Sequence, residues 1–327
     1  MHLSNVSKLI KFSILSLCLL VLATYSTYAK SDKPKLNIVT TTSMIADAVQ
    51  YIGGKHVTVT ALMGPGIDPH AYRQTRTDIA KLVRADLVLW HGLYLEAQME
   101  EFFAALSKRK KVIAVGNRID KTKLLAHDDY KDRFDPHIWM NPDLWIDITS
   151  IIKNILVETD PANAADYKTN AKQYLNKIAK LSAYAKKTLA SIPANQRFLI
   201  TAHDAFNYFG QAYNFEVIGI QGISTESEAS LRRIEDLIDH IVKNKISSIF
   251  VETSVADRNI KALIEGAAAK GHKVTIGGEI FSDAMGKAGT YEGTYIGMID
   301  HNATLIARAL GGTAPERGMQ NRLGGGH

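Results

Sequence analysis

The sequence has one cysteine, eight prolines and no long block of charge of one sign among its 327 residues. The single cysteine, Cys18, lies near the N-terminus, so the rest of the chain forms no disulfide and offers no thiolate to a metal. The lysines are spread out and are not interleaved with aromatic residues, which argues against nucleic acid as a partner. With 46% hydrophobic and 22% charged residues, the chain has a globular composition and enough length for two ordinary domains.

The N-terminus has the features of an export signal. Two lysines precede an apolar run over residues 12–23, and a small-x-small cleavage site ends at Ala29. The run is too short to anchor the protein across a bilayer. Cleavage would remove both lysines and no acid, so the formal net charge falls from +6 to +4. We expect a periplasmic protein that is cleaved after Ala29. A lipid anchor on Cys18 is the less favoured alternative, because Leu17 stands where a small residue normally precedes a lipidated cysteine.

Short β-branched runs alternate with amphipathic segments in both halves of the chain. This alternation predicts an α/β protein with two lobes, each containing a mainly parallel sheet covered by helices. The runs predicted as strands are 36–40, 57–63, 85–90, 111–115, 198–202, 215–220, 247–252 and 272–278.

One long amphipathic segment separates the two sets of strands. Within it, Tyr174, Ile178, Leu181 and Ala185 recur every three or four residues and form one apolar stripe. No glycine interrupts the segment, so it predicts a single rigid linking helix about 45 Å long. The predicted divisions are a signal peptide 1–29, an N-terminal lobe 30–158, a linking helix 159–193, a C-terminal lobe 194–311 and a disordered tail 312–327.

The tripeptide Asp-Pro-His occurs twice, ending at His70 and at His137. Proline fixes its own φ and disfavours the helical region for the residue before it, so each histidine leaves the main chain from a stiffened loop. Asp68 and Asp135 can orient an imidazole or a loop amide by hydrogen bonding. Ordinary turn formation is an equally good explanation of these two aspartates.

Four side chains with metal-binding chemistry lie in loops beside the predicted strands: His70, His137, His203 and Asp283. Open parallel sheets bind ligands in the loops beyond the carboxyl ends of their strands, so we expect the four residues to lie close together. Three imidazoles and one carboxylate form a suitable shell for a divalent transition metal. The pattern therefore predicts one metal site with these four ligands.

The motifs around these residues resemble those of one family. GIDPHAY, FDPHIWMNP, TAHDAF, GISTESEAS and IGGEIFSDAMGKAGTYEGTYIGM are similar to motifs of the metal-binding substrate-binding proteins of ABC transporters, the TroA/ZnuA/PsaA type. The resemblance covers about residues 35–310, and its last tract is most similar to TroA. It implies a C-clamp of two lobes joined by one long helix, with Zn²⁺ or Mn²⁺ bound between them by the four residues. It also implies extracytoplasmic capture of the metal and delivery to a membrane permease, and we expect a monomer.

Two departures from the family pattern bear on the choice of metal. The long histidine-rich loop that often precedes the second histidine motif in dedicated zinc members is absent. His203 stands where manganese specialists commonly have glutamate. Three neutral nitrogens and one carboxylate suit zinc better than manganese, and zinc is higher in the Irving–Williams order. We expect zinc to bind at least as tightly as manganese, while the identity of the transported metal stays open.

A zinc hydrolase and a receptor for a sugar or an amino acid are the two alternatives to a metal carrier. A zinc hydrolase would keep one metal position open and place a base nearby, for which Glu226, Glu252 and Glu279 are the candidates. None of these glutamates belongs to an HExxH-like helix, so we expect no enzymatic activity. A sugar or amino-acid receptor would need aromatic platforms or an arginine clamp, and Trp139 offers little of either.

The remaining polar residues near the motifs are predicted to have supporting or structural roles. His91 is expected to support the site without binding metal, Asp204 to complement a helix N-terminus, and His127 to lie in a solvated loop. Glycines flank Asp283, which marks it as the ligand that moves on metal release. The histidines predicted to be structural are His56, His240, His272 and His301.

Overall fold

The computed structural model describes residues 34–127 and 131–324. The predicted signal peptide, Cys18 and the last three residues lie outside this part of the chain, as do Asp128 and Asp129 next to His127. Among the described residues, no helix combines the length and the apolar character needed to cross a membrane.

The N-terminal half contains a four-stranded parallel sheet with the strand order β2-β1-β3-β4. β1 is central and pairs with β2 and β3, with Ile38 opposite Leu87. Helices cover the sheet, so its strands are rich in buried aliphatic residues, as expected for parallel strands. The strands are β1 (Leu36–Thr40), β2 (Val57–Ala61), β3 (Leu87–Trp90) and β4 (Lys111–Ala114).

Four helices accompany this sheet. Thr75 and Asp78 form a reciprocal capping box at the start of the second, and Asn141 caps the fourth, which has Pro142 in its first turn. These caps satisfy N–H groups that a helix start leaves without partners. The helices are α1 (Ser43–Gly53), α2 (Arg76–Arg84), α3 (Glu100–Ser107) and α4 (Pro142–Thr159).

The C-terminal half contains two pairs of parallel strands, β5 with β6 and β7 with β8. β5 and β7 lie side by side. All eight predicted strands are therefore confirmed, although the last begins later than predicted, at Thr275 rather than His272. The elements are β5 (Phe198–Thr201), α6 (Asn207–Tyr213), β6 (Glu216–Gly219), α7 (Leu231–Lys243), β7 (Ser248–Glu252), α8 (Arg258–Ala269), β8 (Thr275–Ile280) and α9 (Tyr295–Ala309).

The long helix α5 (Ala164–Ala190) connects the two halves. It is shorter than the predicted 159–193, because α4 continues to Thr159 and a separate 3₁₀ turn occupies Pro161–Asn163. At the other end the helix stops before Pro193, which disfavours helical geometry in the residue that precedes it. All four predicted stripe residues of α5 are buried.

One hydrophobic core crosses from one half to the other along α5. It contains Ile38 and Ile152 from the N-terminal half, Tyr174 from α5, and Phe209 and Met298 from the C-terminal half. Residues of both halves thus share one core, which limits independent movement of the two halves.

The segment after α9 differs from the prediction. Residues 312–327 were expected to be a disordered tail, but the described part folds back onto α9. The main-chain N–H of Met319 donates to both carboxylate oxygens of Asp300, Arg322 lies over the ring of Tyr291, and Leu323 is buried. The buried carboxylate of Asp300 provides the acceptor that fixes this segment, a partner that sequence composition alone does not reveal.

Candidate metal site

Each of the four predicted ligands lies in a loop next to a sheet. His70 follows β2, His203 follows β5 and Asp283 follows β8, whereas His137 precedes the short turn that leads into α4. The structure brings the four side chains together, with one potential ligand atom from each within 4.8 Å of the others. All four side chains are buried. They therefore form one enclosed cluster to which both halves of the chain contribute.

The two Asp-Pro-His motifs have the same local geometry. In each, the aspartate accepts a hydrogen bond from the main-chain N–H of the histidine two residues later: His70 to Asp68 at 2.8 Å and His137 to Asp135 at 2.9 Å. The aspartate and the proline together fix the direction in which the histidine leaves the chain. Asp135 also lies 2.8 Å from Nδ1 of His137, so it orients the ring as well as the loop.

Four of the distances between potential ligand atoms are close to those of a zinc site. Nε2 of His70 and Nε2 of His137 are 3.2 Å apart. The carboxylate of Asp283 lies 3.1 Å from Nε2 of His203, 3.4 Å from that of His137 and 3.8 Å from that of His70. Tetrahedral zinc with bonds of about 2.0–2.1 Å requires ligand atoms about 3.3–3.4 Å apart. The four groups are therefore near enough to one another to share a single ion of this size.

Three of the potential ligand atoms make no hydrogen bond of good geometry with the described residues. They are both carboxylate oxygens of Asp283 and Nε2 of His203, all of which are buried. A buried carboxylate without hydrogen bonds is costly unless a positive charge compensates it. The cluster is thus built to contain either a cation or protons held between the carboxylate and the imidazoles.

The pKa values within the cluster reflect this balance. Burial alone would raise the pKa of Asp283, but His203 and His137 outweigh it and hold the pKa well below the usual range. Burial would likewise lower the pKa of His137, yet Asp135 and Asp283 raise it to about 9. His70 has no comparable carboxylate on its ring, and burial lowers its pKa to about 3. Without metal, the carboxylate of Asp283 and the imidazoles of His137 and His203 therefore stabilise each other's charged forms.

Glu252 orients His203. Its carboxylate accepts the main-chain N–H of His203 at 2.8 Å and lies 2.6 Å from Nδ1 of the ring. Together with Asp283, Glu252 raises the pKa of His203 well above the ordinary value, against the effect of burial. Carboxylates in this position fix the tautomer and ring orientation of metal-binding histidines. From sequence, Glu252 was only a candidate base for a hydrolase, although its place at the end of β7 was a usable signal.

Trp139 connects the loops of two ligands. Its indole N–H donates to the carbonyl of Ser282, next to Asp283, at 2.8 Å. The hydroxyl of Tyr295 donates to the carbonyl of Trp139, also at 2.8 Å. His137 and Asp283 are therefore held in one hydrogen-bonded unit, which sequence reasoning missed because it treated Trp139 only as a possible aromatic platform.

The other predicted residues lie outside the cluster. His91 is buried, with Nε2 2.7 Å from the carbonyl of Pro136, and so supports the loop that carries His137. Glu226 and Glu279 are exposed and belong to neither the cluster nor its hydrogen-bonded supports. Asp204 is buried enough that its pKa rises to about 6. Three of the histidines predicted to be structural bind main-chain or carboxylate oxygens: His56 to Asp166, His272 to Ile246 and His301 to Glu279.

The chain has parallel sheets joined by one long helix. Between them lies a buried cluster of three histidines and one carboxylate. This combination is that of a metal-binding receptor. The sequence profile of the family described as zinc-uptake complex component A, periplasmic (ZnuA), matches residues 38–309. The chain belongs to this family, which confirms the resemblance inferred from its motifs.

Individual relatives agree with this assignment. The chain is 46% identical over 281 residues to the manganese-binding lipoprotein MntA of Bacillus subtilis, covering 86% of this chain and 92% of that protein. It is 44% identical to the zinc-binding protein TroA of Treponema pallidum, covering 84% and 88% of the two chains. The solved structure of the periplasmic zinc-binding protein TroA from Treponema pallidum superposes with a TM-score of 0.82 at 43% identity, covering 84% of this chain and 99% of that one.

Proposed function

We propose that this protein captures a divalent transition metal outside the cytoplasm and delivers it to an ABC permease. The metal is cargo, bound by His70, His137, His203 and Asp283. The observation that carries the proposal is the convergence of these side chains within 4.8 Å, with both oxygens of buried Asp283 lacking a hydrogen bond. Family membership and the names of the relatives support the role in transport.

Zinc is expected to bind at least as tightly as manganese. Three imidazole nitrogens and one carboxylate suit a borderline cation, and zinc lies above manganese in the Irving–Williams order. The relatives carry names for both metals, manganese for MntA and zinc for TroA. The metal that binds most tightly need not be the one transported, because the availability of each metal outside the cell also decides which one occupies the site.

Four protein ligands leave no open position for a substrate, so we infer a carrier and not a hydrolase. The carrier acts as a monomer whose lobes correspond to the predicted divisions 30–158 and 194–311, joined by the long helix. Its partner is a membrane permease.

The attachment of the protein to the membrane is a separate point. The names of MntA and of the Streptococcus sanguinis relative SsaB describe lipoproteins, which favours an anchor more than the sequence alone did. We infer an extracytoplasmic protein that either is cleaved after Ala29 or carries lipid on Cys18. Mass spectrometry of the mature N-terminus in the native host distinguishes these forms, since only the lipidated one begins at a modified Cys18.

Metal stoichiometry tests the proposal directly. Protein purified without a histidine tag, stripped with chelator and reloaded should bind one zinc per chain, measured by elemental analysis after desalting. Asp283→Asn and His203→Gln should lose tight binding because each removes a ligand. His240→Gln is the matched control, since His240 is half-buried near Glu216 and is not part of the cluster. Unchanged zinc binding in both site variants would overturn the assignment.

A further inference from the structure

A small cavity of about 30 Å³ reaches the cluster beside His70. Of the four proposed ligands, His70 alone lines it. Part of its wall is formed by Ile223, Ser224 and Glu226 from the loop between β6 and α7. A cavity of this volume holds about one water molecule. A metal ion with part of its hydration shell can therefore pass only when part of the lining moves.

The wall is held in place by contacts between the two halves of the chain. The hydroxyl of Thr225 donates to Oδ2 of Asp68 at 2.5 Å. Next to it, the side-chain amide of Gln98 donates to Glu226. Gln98 and Glu226 are exposed, whereas the contact between Thr225 and Asp68 is partly shielded from water. The hydrogen bond of Thr225 is thus the better protected of the two links.

The same aspartate also holds His70. Oδ1 of Asp68 accepts the main-chain N–H of His70, while Oδ2 accepts the hydroxyl of Thr225. Asp68 therefore couples the position of the 223–228 segment to the position of one metal ligand. If the hydroxyl of Thr225 withdraws, Asp68 loses its contact with the C-terminal half and the loop carrying His70 loses its anchor there.

The other three ligands are fixed more firmly inside the protein. Glu252 makes two contacts with His203. Asp135, which orients His137, is itself held by Asn207 and by Tyr208 through its carbonyl. The loop carrying Asp283 is fixed by the indole of Trp139, and Asn302 binds both main-chain polar groups of the nearby Phe281. His70 lies in the least supported of the four loops.

Two of the glycines that flank Asp283, Gly278 and Gly286, lie in close packing, whereas Gly289 has open space around it. A Cβ atom on Gly278, whose φ is +146°, would meet Leu305 at 2.6 Å, and one on Gly286 would meet Glu292 at 2.8 Å. Glycine at these positions lets neighbouring chain segments approach each other. The contacts therefore favour His70 over Asp283 as the ligand that is released.

We propose that Thr225 and Asp68 form a latch that keeps His70 on the metal, and that opening of this latch is the step that frees the ion. The inference rests on the proposed function as a metal carrier. Both residues act as positioning residues, because neither touches the metal. The permease would release metal by drawing the 223–228 segment away from Asp68.

The rate of zinc release tests the latch. Zinc-loaded protein is mixed with excess chromophoric chelator in a stopped-flow instrument. Thr225→Val has nearly the same shape but lacks the hydroxyl, and it should release zinc about 10-fold faster, in line with the effect of losing outer support on metal affinity. Thr225→Ser restores a hydroxyl and should release zinc within about 3-fold of the wild-type rate. The unfolding midpoint of the apoprotein should be the same in all three proteins.

Thr149→Val, in α4, is the matched control. It makes the same chemical change at a threonine whose hydroxyl has no hydrogen-bond partner among the described residues, so its release rate should equal that of the wild type. A wild-type rate in Thr225→Val, or equal acceleration in the serine and valine variants, would overturn the latch while leaving the carrier function intact. Failure of the wild-type protein to bind one zinc per chain would instead overturn the proposed function.

Discussion

Asp283 carries a negative charge in a place where burial alone favours the neutral acid. Its neighbours decide the outcome, because His203 and His137 each bring a positive charge close to it and lower its pKa. Those two imidazoles are in turn supported by Glu252 and Asp135. Carboxylates and imidazoles thus alternate outward from the centre. A metal ion that replaces the protons therefore binds to imidazole rings that are already oriented towards it.

Substitution of Glu252 by glutamine should weaken zinc binding by about 10–100-fold, because the change removes the charge that fixes the tautomer of His203. Glu279→Gln is the matched control, since Glu279 is exposed on the neighbouring strand. Competition with a chelator of known affinity measures both variants. Equal affinities for the two would contradict the role assigned to Glu252.

Zinc affinity should fall as the pH is lowered from 9 to 6. In the metal-free protein the pKa of His137 is raised to about 9, and that of His203 is also raised. Below these values the rings carry protons that must leave before nitrogen can bind metal. Each displaced proton changes the affinity about tenfold per pH unit. Chelator competition at pH 6, 7 and 8 measures the effect, and an affinity that stays constant over this range would contradict it.

At the scale of elements, the loop after β3 illustrates how a buried acid shapes its surroundings. Glu96 accepts hydrogen bonds from the hydroxyl of Thr41 and from the main-chain N–H groups of His91 and Gly92. Gly92 has a φ of +81° and is followed by two further residues with positive φ. The carboxylate thus stabilises a turn that would otherwise be costly. His91 occupies the same turn and supports the loop of His137.

The Glu96→Gln substitution should change how stability depends on pH. Burial raises the pKa of Glu96 to about 7 from an ordinary value near 4.5. Between these values the folded protein binds more protons than the unfolded chain, so the contribution of Glu96 to stability is lost as the pH rises through this window. The loss is on the order of 1.4 kcal/mol per pH unit.

Glutamine does not titrate, so the variant should gain stability relative to wild type between pH 5 and pH 7. Urea unfolding of both proteins at several pH values measures the difference. Glu101→Gln, at an exposed position in α3, provides the control and should leave the difference constant. A pH-independent difference for Glu96→Gln as well would show that Glu96 is not the titrating group.

At the scale of the whole molecule, the half-buried carboxylate of Asp47 ties the halves together through α5. Asp47 in α1 accepts the hydroxyl of Tyr174 from α5 at 2.6 Å and the main-chain N–H of Tyr295, the first residue of α9, at 3.2 Å. Burial raises the pKa of Asp47. One side chain thus links three helices from different parts of the sequence. Together with the shared core, this contact makes large opening motions costly and favours small movements of loops.

Tyr174→Phe should lower the free energy of unfolding by about 1–3 kcal/mol, because a buried acceptor on Asp47 loses a donor. Thermal unfolding of the apoprotein should still show one transition, at a lower midpoint. Tyr94→Phe, at a position 38% exposed, should leave the midpoint unchanged. An unchanged midpoint in Tyr174→Phe would mean that this contact contributes nothing to the joining of the halves.

Local pattern was sufficient to predict the strands, the long helix and the four clustered residues. Parallel strands are short apolar runs, and ligand-binding loops follow their carboxyl ends, so both can be recognised in the sequence alone. The contacts of Trp139 with Ser282, Glu252 with His203 and Thr225 with Asp68 were not predictable. Each joins residues far apart in sequence, and their partners become known only when the two halves are packed. The tail after α9 was missed for the same reason.

The central claim is that three imidazoles and one carboxylate from both halves of the chain saturate a single ion. Anomalous scattering at the zinc edge from crystals of the zinc-loaded protein tests it most directly. We predict one strong peak bonded to Nε2 of His70, His137 and His203 and to the carboxylate of Asp283. A peak elsewhere, or an ion held by only some of these groups with a water-filled position, would contradict the account.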